Sequence, residues 1–268
     1  MNLFDSSSAD SATSDQSQTL RAERPNDQLR PVRIDMGYLE SNPASVLYRS
    51  GKTIVLCTAS VETSVPPWLE GRGKGWITAE YNMLPGSTSP RKRRDRGGKV
   101  DGRTTEIQRL VGRSLRAIAD LKSLGERSIT VDCDVLQADG GTRTASITGG
   151  YIALALAVER LARQLADSPD VPEADRIDPS AVLVDSVAAI SVGVVGPDVV
   201  LDLDYKLDYA ADVDMNVVMT GSGRFIEIQG TGEEATFDDE QLAKMLQLAK
   251  AGIARLTVSQ RESLARAS

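Results

Sequence analysis

The stretch VDCDVLQADGGTRTASITG, residues 131–149, constrains the fold more than any other part of the chain. Ile129, Val131, Cys133 and Val135 alternate with Thr130, Asp132 and Asp134, which is the period of a half-buried strand. The strand runs into Gly140-Gly141 and then Thr142, Arg143, Thr144, Ser146 and Thr148. From Tyr151 the run YIALALAVERLARQLA has the composition and length of a helix. A strand, a glycine turn, a hydroxyl cluster and a helix leave unpaired backbone N–H groups and the positive helix end facing one spot. Arg143 adds a planar donor fork suited to phosphate. The pattern points to an anion site. An ordinary helix start, capped by Thr142 or Thr144 with Arg143 solvated, has the same spacing.

The chemistry open to the chain is narrowed by one absence: it has 0 histidines. Imidazole bases, Ser-His-Asp and Cys-His triads and His-ligated zinc are excluded, so acid–base work falls to carboxylates, Lys, Tyr or the substrate. Cys57 and Cys133 both lie in strand-like apolar surroundings and read as buried free thiols, which fits a reducing compartment. The longest apolar run, 151–158, is too short to span a membrane.

Charge is unevenly distributed about a net of −7. Residues 86–116 hold ten Lys/Arg against three acids, and residues 167–214 hold twelve acids against two bases. One basic face and one acidic cluster suggest polyanion binding beside a metal or acid–base site.

Residues 1–24 are rich in Ser, Asp, Ala and Gln and read as a disordered tail. The first half of the core, 25–167, opens on strands VRIDM (32–36), SVLYRS (45–50), KTIVLCTASV (52–61) and WITAEYNM (76–83), with Gly51 turning a hairpin. PPWLEGRGKG (66–75) reads as a surface loop. In the loop 86–102, Arg91, Lys92, Arg93, Arg94 and Arg96 precede a helix on which Arg109, Arg113 and Arg116 share one face. Ile107, Leu110, Val111, Ser114, Ile118 and Leu121 form another face. Loop and stripe together make a track for a phosphate backbone.

A Pro- and Asp-rich linker, 168–180, leads to a second half, 181–268. Its strand candidates are 181–195, 199–205, 213–220 and 224–230. A closing helix from about Asp238 carries Leu242, Met245, Leu246, Ala249, Ile253 and Leu256 as a packing stripe. Asp202 and Asp204 alternate as the wet face of a strand would. Five carboxylates between Asp202 and Asp214 repel one another, which a divalent cation or one raised pKa would relieve. With no His or Cys among them, Mg²⁺ or Mn²⁺ suits the donors better than zinc.

DCDVLQADGGTRTASITG closely resembles the central motif of the ribonuclease PH family, phosphate-dependent exoribonucleases that trim the 3′ ends of tRNA precursors. LCTASVE (56–62), GWITAEYNMLPGST (75–88), GRTTEIQRLVGRSLRA (102–117), DMNVVMT (214–220) and IEIQGT (226–231) extend the resemblance in order over about residues 24 to 262. It implies an α+β fold with mixed sheets covered by helices, assembled as a homohexameric ring, a trimer of dimers. It also implies that Asp208 and Asp214 act at the scissile bond, with Asp214 a general acid and the pair helping to hold Mg²⁺ (or Mn²⁺). Phosphate contacts, by the same resemblance, fall on Arg103, Gly141, Thr142 and Arg143. The basic loop would hold the tRNA body, although its single arginines do not all align with the family pattern. The implied enzyme is cytoplasmic, uses inorganic phosphate as co-substrate, releases nucleoside diphosphates reversibly and has no membrane partner. A non-catalytic ring subunit of the same fold would typically lack these site residues, and a small-molecule kinase would bind ATP at the glycine turn.

Overall fold

The computed structural model describes residues 24–94, 101–232 and 235–266. Residues 1–23 of the expected tail (1–24) and Arg96 lie outside the described residues, while Arg24 donates to the Asp202 carbonyl at 2.8 Å. Strands β1 (Val32–Met36), β2 (Ser45–Ser50), β3 (Thr53–Glu62), β4 (Trp76–Met83) and β5 (Ser128–Gln137) form one sheet in the order β1-β2-β3-β5-β4. β4 runs parallel to β5 and the other pairs are antiparallel, so the sheet is mixed. The parallel pair requires a crossover, supplied by α1 (Gly102–Arg116) and the short α2 (Leu121–Leu124). The second sheet is antiparallel, in the order β7-β6-β8-β9, from β6 (Val187–Val195), β7 (Asp198–Leu201), β8 (Val213–Thr220) and β9 (Phe225–Gly232). The expected α+β architecture of sheets covered by helices is what the chain adopts.

Helix α3 (Thr142–Asp167) is the keel. It packs against β2, β3 and β5 of the first sheet and β6 of the second. Its Ile147, Ile152, Leu154 and Val158 are wholly buried, each stabilising by about 1.5–3 kcal/mol relative to exposure. By length and composition α3 could cross a membrane, but 72% of its apolar window is buried inside the protein, as a central core helix requires. Close approach to the first sheet depends on Gly149, where a Cβ would sit 2.9 Å from Tyr48 and 3.0 Å from the Cys57 sulfur. Cys57 and Cys133 face each other across β3 and β5 as buried free thiols. Beyond the short α4 (Pro179–Val182) and α5 (Tyr205–Ala210), the closing helix α6 (Asp239–Ala265) covers β6, β7 and β8. Its Met245, Ala249, Ile253 and Leu256 are buried, and its Gln260 amide donates to the carbonyls of Thr148 and Val187, joining α6 to α3 and β6.

Several local expectations are corrected. α3 begins at Thr142 and not at Tyr151, so the hydroxyl cluster forms its first two turns. Polar hydroxyls there do not break the helix because Ser146 Oγ bonds back to the Thr142 carbonyl and Thr144 Oγ1 to the Gly141 carbonyl. The strand candidates 181–195 and 199–205 shorten to β6 and β7, and residues 205–210 turn into α5 because Asp204 caps it, accepting from the N–H groups of Lys206 and Leu207. The basic stripe on α1 is not continuous. Arg116 turns inward, its guanidinium 4.5 Å from the Trp76 ring centre and bonded to the Ile77 carbonyl, and Arg113 is paired with Glu227. Ile118 and Leu121 lie past the end of α1.

Candidate active site

The turn between β5 and α3 is built around two glycines in left-handed geometry, Gly140 (φ 74°) and Gly141 (φ 65°). A Cβ on Gly140 would lie 2.6 Å from the Leu203 carbonyl oxygen and the Asp204 carbonyl carbon, so the turn rests on the entry to α5. Gly141 is the N-cap of α3 and makes no side-chain capping bond, which leaves the first-turn N–H groups open to an anion. Neither feature of an ordinary capped helix start is present. Thr142 Oγ1 shares a 2.9 Å bond with the buried Tyr81 hydroxyl, and Arg143 is held rather than solvated. Its NH1 donates to Gln229 Oε1 at 2.9 Å and stands 3.6 Å from Glu106. Gln229 in turn donates to Glu106 and Glu227, and Glu227 binds Arg113 at 2.6 Å. This chain of polar contacts ties the guanidinium to α1 and β9.

Behind the turn lies a clamp. Arg30, 7% exposed, donates to the carbonyl of Asp139 at 2.6 Å and to Asp202 Oδ1 at 2.6 Å, while its backbone N–H donates to Asp202 Oδ2 at 2.7 Å. Burial by itself would lower the Arg30 pKa, but the facing carboxylate of Asp202 reverses the sign and raises it. Asp202 is therefore not the wet face of a strand. It is 1% exposed and has a φ of 58°, which an aspartate tolerates better than most residues.

The opposite wall comes from the second sheet. On β8, Val213, Met215 and Val217 enter the core, while Asp214 and Asn216 alternate to the other face. Their cross-strand partners on β9 are Thr231 and Gln229. Asp208 is exposed on α5. Both walls face one cleft of about 900 Å³, and Arg103, Gly141, Thr142, Arg143, Asp208 and Asp214 all line it. Burial pushes the Tyr81 phenol pKa up, against the hydrogen bond from Thr142 and the charges of Arg103 and Arg143. Tyr81 thus stays a neutral, buried partner of Thr142.

The five acids of the 202–214 run do not converge. Asp202 is clamped, Asp204 caps α5, Asp212 accepts from the Gly196 N–H, and only Asp208 and Asp214 reach the cleft. Among the described residues no group of three or more His, Cys, Asp or Glu gathers as a metal cage. Two carboxylates in an open cleft still suit Mg²⁺, which keeps several waters and is commonly held by one or two carboxylates plus substrate phosphates. In the basic loop, Arg91, Arg93 and Arg94 are exposed, whereas Lys92 pairs with Asp101 at 3.0 Å. Asp101 caps α1, and the Thr104 N–H and Lys92 hold its carboxyl below the usual range.

Sequence reasoning missed Arg30, Tyr81, Glu106, Ser191, Tyr205, Asn216 and Gln229. Asn216 and Gln229 carried a signal, since each is two residues from another polar cleft residue on its strand (Asp214 and Thr231). The Arg30 clamp had none, because its partner is 172 residues away.

An open helix start with Arg103 and Arg143 beside it, facing Asp208 and Asp214 in one cleft, is an arrangement suited to phosphoryl transfer. Residues 28–158 match the 3′ exoribonuclease family, domain 1, and residues 185–252 match domain 2 of the same family. The chain belongs to the 3′ exoribonuclease family of ribonuclease PH. A relative named Ribonuclease PH from Rhodopirellula baltica is 79% identical over 242 residues, covering 90% of this chain and 96% of that protein. Ribonuclease PH of Bacillus subtilis is 53% identical over 245 residues, covering 90% and 95%. Among solved structures, the Archaeoglobus fulgidus exosome with RNA bound to the active site shares the fold with TM-score 0.73 at 19% identity, over 95% of this chain and 96% of that one. Rice Rrp46 shares it with TM-score 0.69 at 18% identity, over 91% and 99%.

Proposed function

We infer that this chain is a phosphate-dependent 3′→5′ exoribonuclease acting in tRNA processing, and that the cleft is where it works. The observation that carries this reading is the meeting, in one cleft, of Arg103 from α1, the Gly141–Arg143 turn of α3, and Asp208 and Asp214 from the second half. Inorganic phosphate sits against the two arginines and the open N–H groups at the start of α3. One of its oxygens attacks the last phosphodiester of the RNA in line. The bond from that phosphorus to the preceding 3′ oxygen breaks, and Asp214 supplies the proton to the departing oxygen. Phosphate is already a nucleophile, so no strong protein base is needed, in keeping with a chain of 0 histidines. The arginines offset charge that grows on the non-bridging oxygens, at positions fixed before reaction. Mg²⁺ (or Mn²⁺) held by Asp208 and Asp214 would supply further charge neutralisation. The products are a nucleoside diphosphate and an RNA one nucleotide shorter, and the near balance of bond energies makes the reaction reversible.

The exposed Arg91, Arg93 and Arg94, with Lys92 anchoring the loop, are proposed to hold the tRNA body, a role that would extend to Arg96. The assembly proposed is a homohexameric ring, a trimer of dimers, and likeness to chains of exosome cores supports association. Buried free thiols at Cys57 and Cys133 support a cytoplasmic location. Two substitutions test the site. Arg103→Ala is expected to abolish phosphate-dependent turnover, and Asp214→Asn to keep RNA binding while losing catalysis. Parental turnover in either variant would remove the assignment.

A further inference from the structure

Helix α5 leaves two aromatic rings in solvent beside the cleft. Tyr205 is 61% exposed and Tyr209 is 85% exposed, while Leu207 between them is buried. Their four-residue spacing puts both rings on one face, with centroids 6.4 Å apart and planes inclined by 28°. Trp68 and Phe225 are also exposed, but the first meets Trp76 edge-on and the second lies under Lys250. The tyrosines instead stack on each other and contribute to no core cluster. Tyr205 lines the cleft together with Asp208, so the ring pair begins at the site and extends outward.

We propose that Tyr205 and Tyr209 form a stacking platform for the unpaired bases at the 3′ end of the RNA. The proposal rests on the phosphorolytic reading of the cleft. An enzyme that removes nucleotides one at a time must accept every base in turn. Stacking on an aromatic face meets that need, because every base has a π-face and no hydrogen-bond pattern is read. The position divides the work: cations of the other wall take phosphate groups, and α5 takes bases. Tyr205 serves the base nearest the reacting phosphate, and Tyr209 the next one outward.

The test compares the parent, Tyr209→Ala and Tyr209→Phe on a tRNA with a short single-stranded 3′ extension. KM for RNA and KM for phosphate are measured separately. Tyr209→Ala is expected to raise KM for RNA about tenfold and leave KM for phosphate in place, with Phe restoring the parental value. 2-Aminopurine in the extension should be quenched by the parent and the Phe variant and much less by the Ala variant. An unchanged KM for RNA in Tyr209→Ala overturns the platform. So does a changed sedimentation mass in that variant, which would make the ring pair a subunit contact. Phosphate-independent shortening by the parent would instead remove the reading of the cleft itself.

Discussion

Arg30→Met is the substitution whose cost the geometry defines best. The Arg30 and Asp202 side chains are 7% and 2% exposed and meet at 2.6 Å. Removing the guanidinium leaves a buried carboxylate with one backbone donor at 2.7 Å and Arg24 at 3.7 Å. Breaking a buried pair from one side costs about 3–5 kcal/mol. The surviving partners put this case near the lower bound, about 3 kcal/mol. That is a large part of a typical stability of roughly 5–15 kcal/mol. With a urea slope of about 2–3 kcal/mol/M for a chain of this size, the midpoint should fall by roughly 1 M or more. Asp202→Asn keeps a residue that tolerates positive φ and removes the charge. The Arg30→Met/Asp202→Asn double variant should therefore lose clearly less than the sum of the single losses. Urea unfolding of the four proteins at one fixed concentration reads this directly. A loss below about 1 kcal/mol for Arg30→Met, or additivity within about 0.5 kcal/mol, would refute the clamp. Because Arg30 also holds the Asp139 carbonyl at the glycine turn, KM for phosphate should rise in Arg30→Met as well.

Gly140→Ala combines a left-handed backbone penalty of about 1–2 kcal/mol with a Cβ 2.6 Å from backbone atoms at the entry to α5. The shift this forces on Asp208 should lower kcat by roughly 10²-fold, and parental kcat would contradict the coupling. Asp132 has a pKa raised first by burial and then by Glu80 and Asp134. Its folded form holds the proton more tightly, so its charge lowers stability as pH rises above the ordinary aspartate value of 3.8. Asp132→Asn should raise Tm at neutral pH, with the gain vanishing below that value. A gain constant across pH, or none, would count against it.

Much of the framework was legible because it is local. The alternation of Val131, Cys133 and Val135 and the stripe Met245, Ala249, Ile253 and Leu256 each report one buried face. The glycine turn, the open helix start and Arg143 beside it were legible because they are contiguous in sequence. The acidic run was misread because alternation alone does not distinguish a wet strand from a clamp and a cap. Asp202 is decided by Arg30 and Asp204 by the N–H groups of the helix it starts. Arg116 was misread for a related reason, since helix spacing cannot show that Trp76 lies under its guanidinium. The Gln229 contacts to Arg143, Glu106 and Glu227 join three elements and exist only once the two halves meet.

Phosphorolysis is measured with the purified protein, Mg²⁺ and a tRNA carrying a few extra 3′ nucleotides, with and without inorganic phosphate. Stepwise shortening with release of nucleoside diphosphates is expected only when phosphate is present. Shortening without phosphate, releasing nucleoside monophosphates, would contradict it.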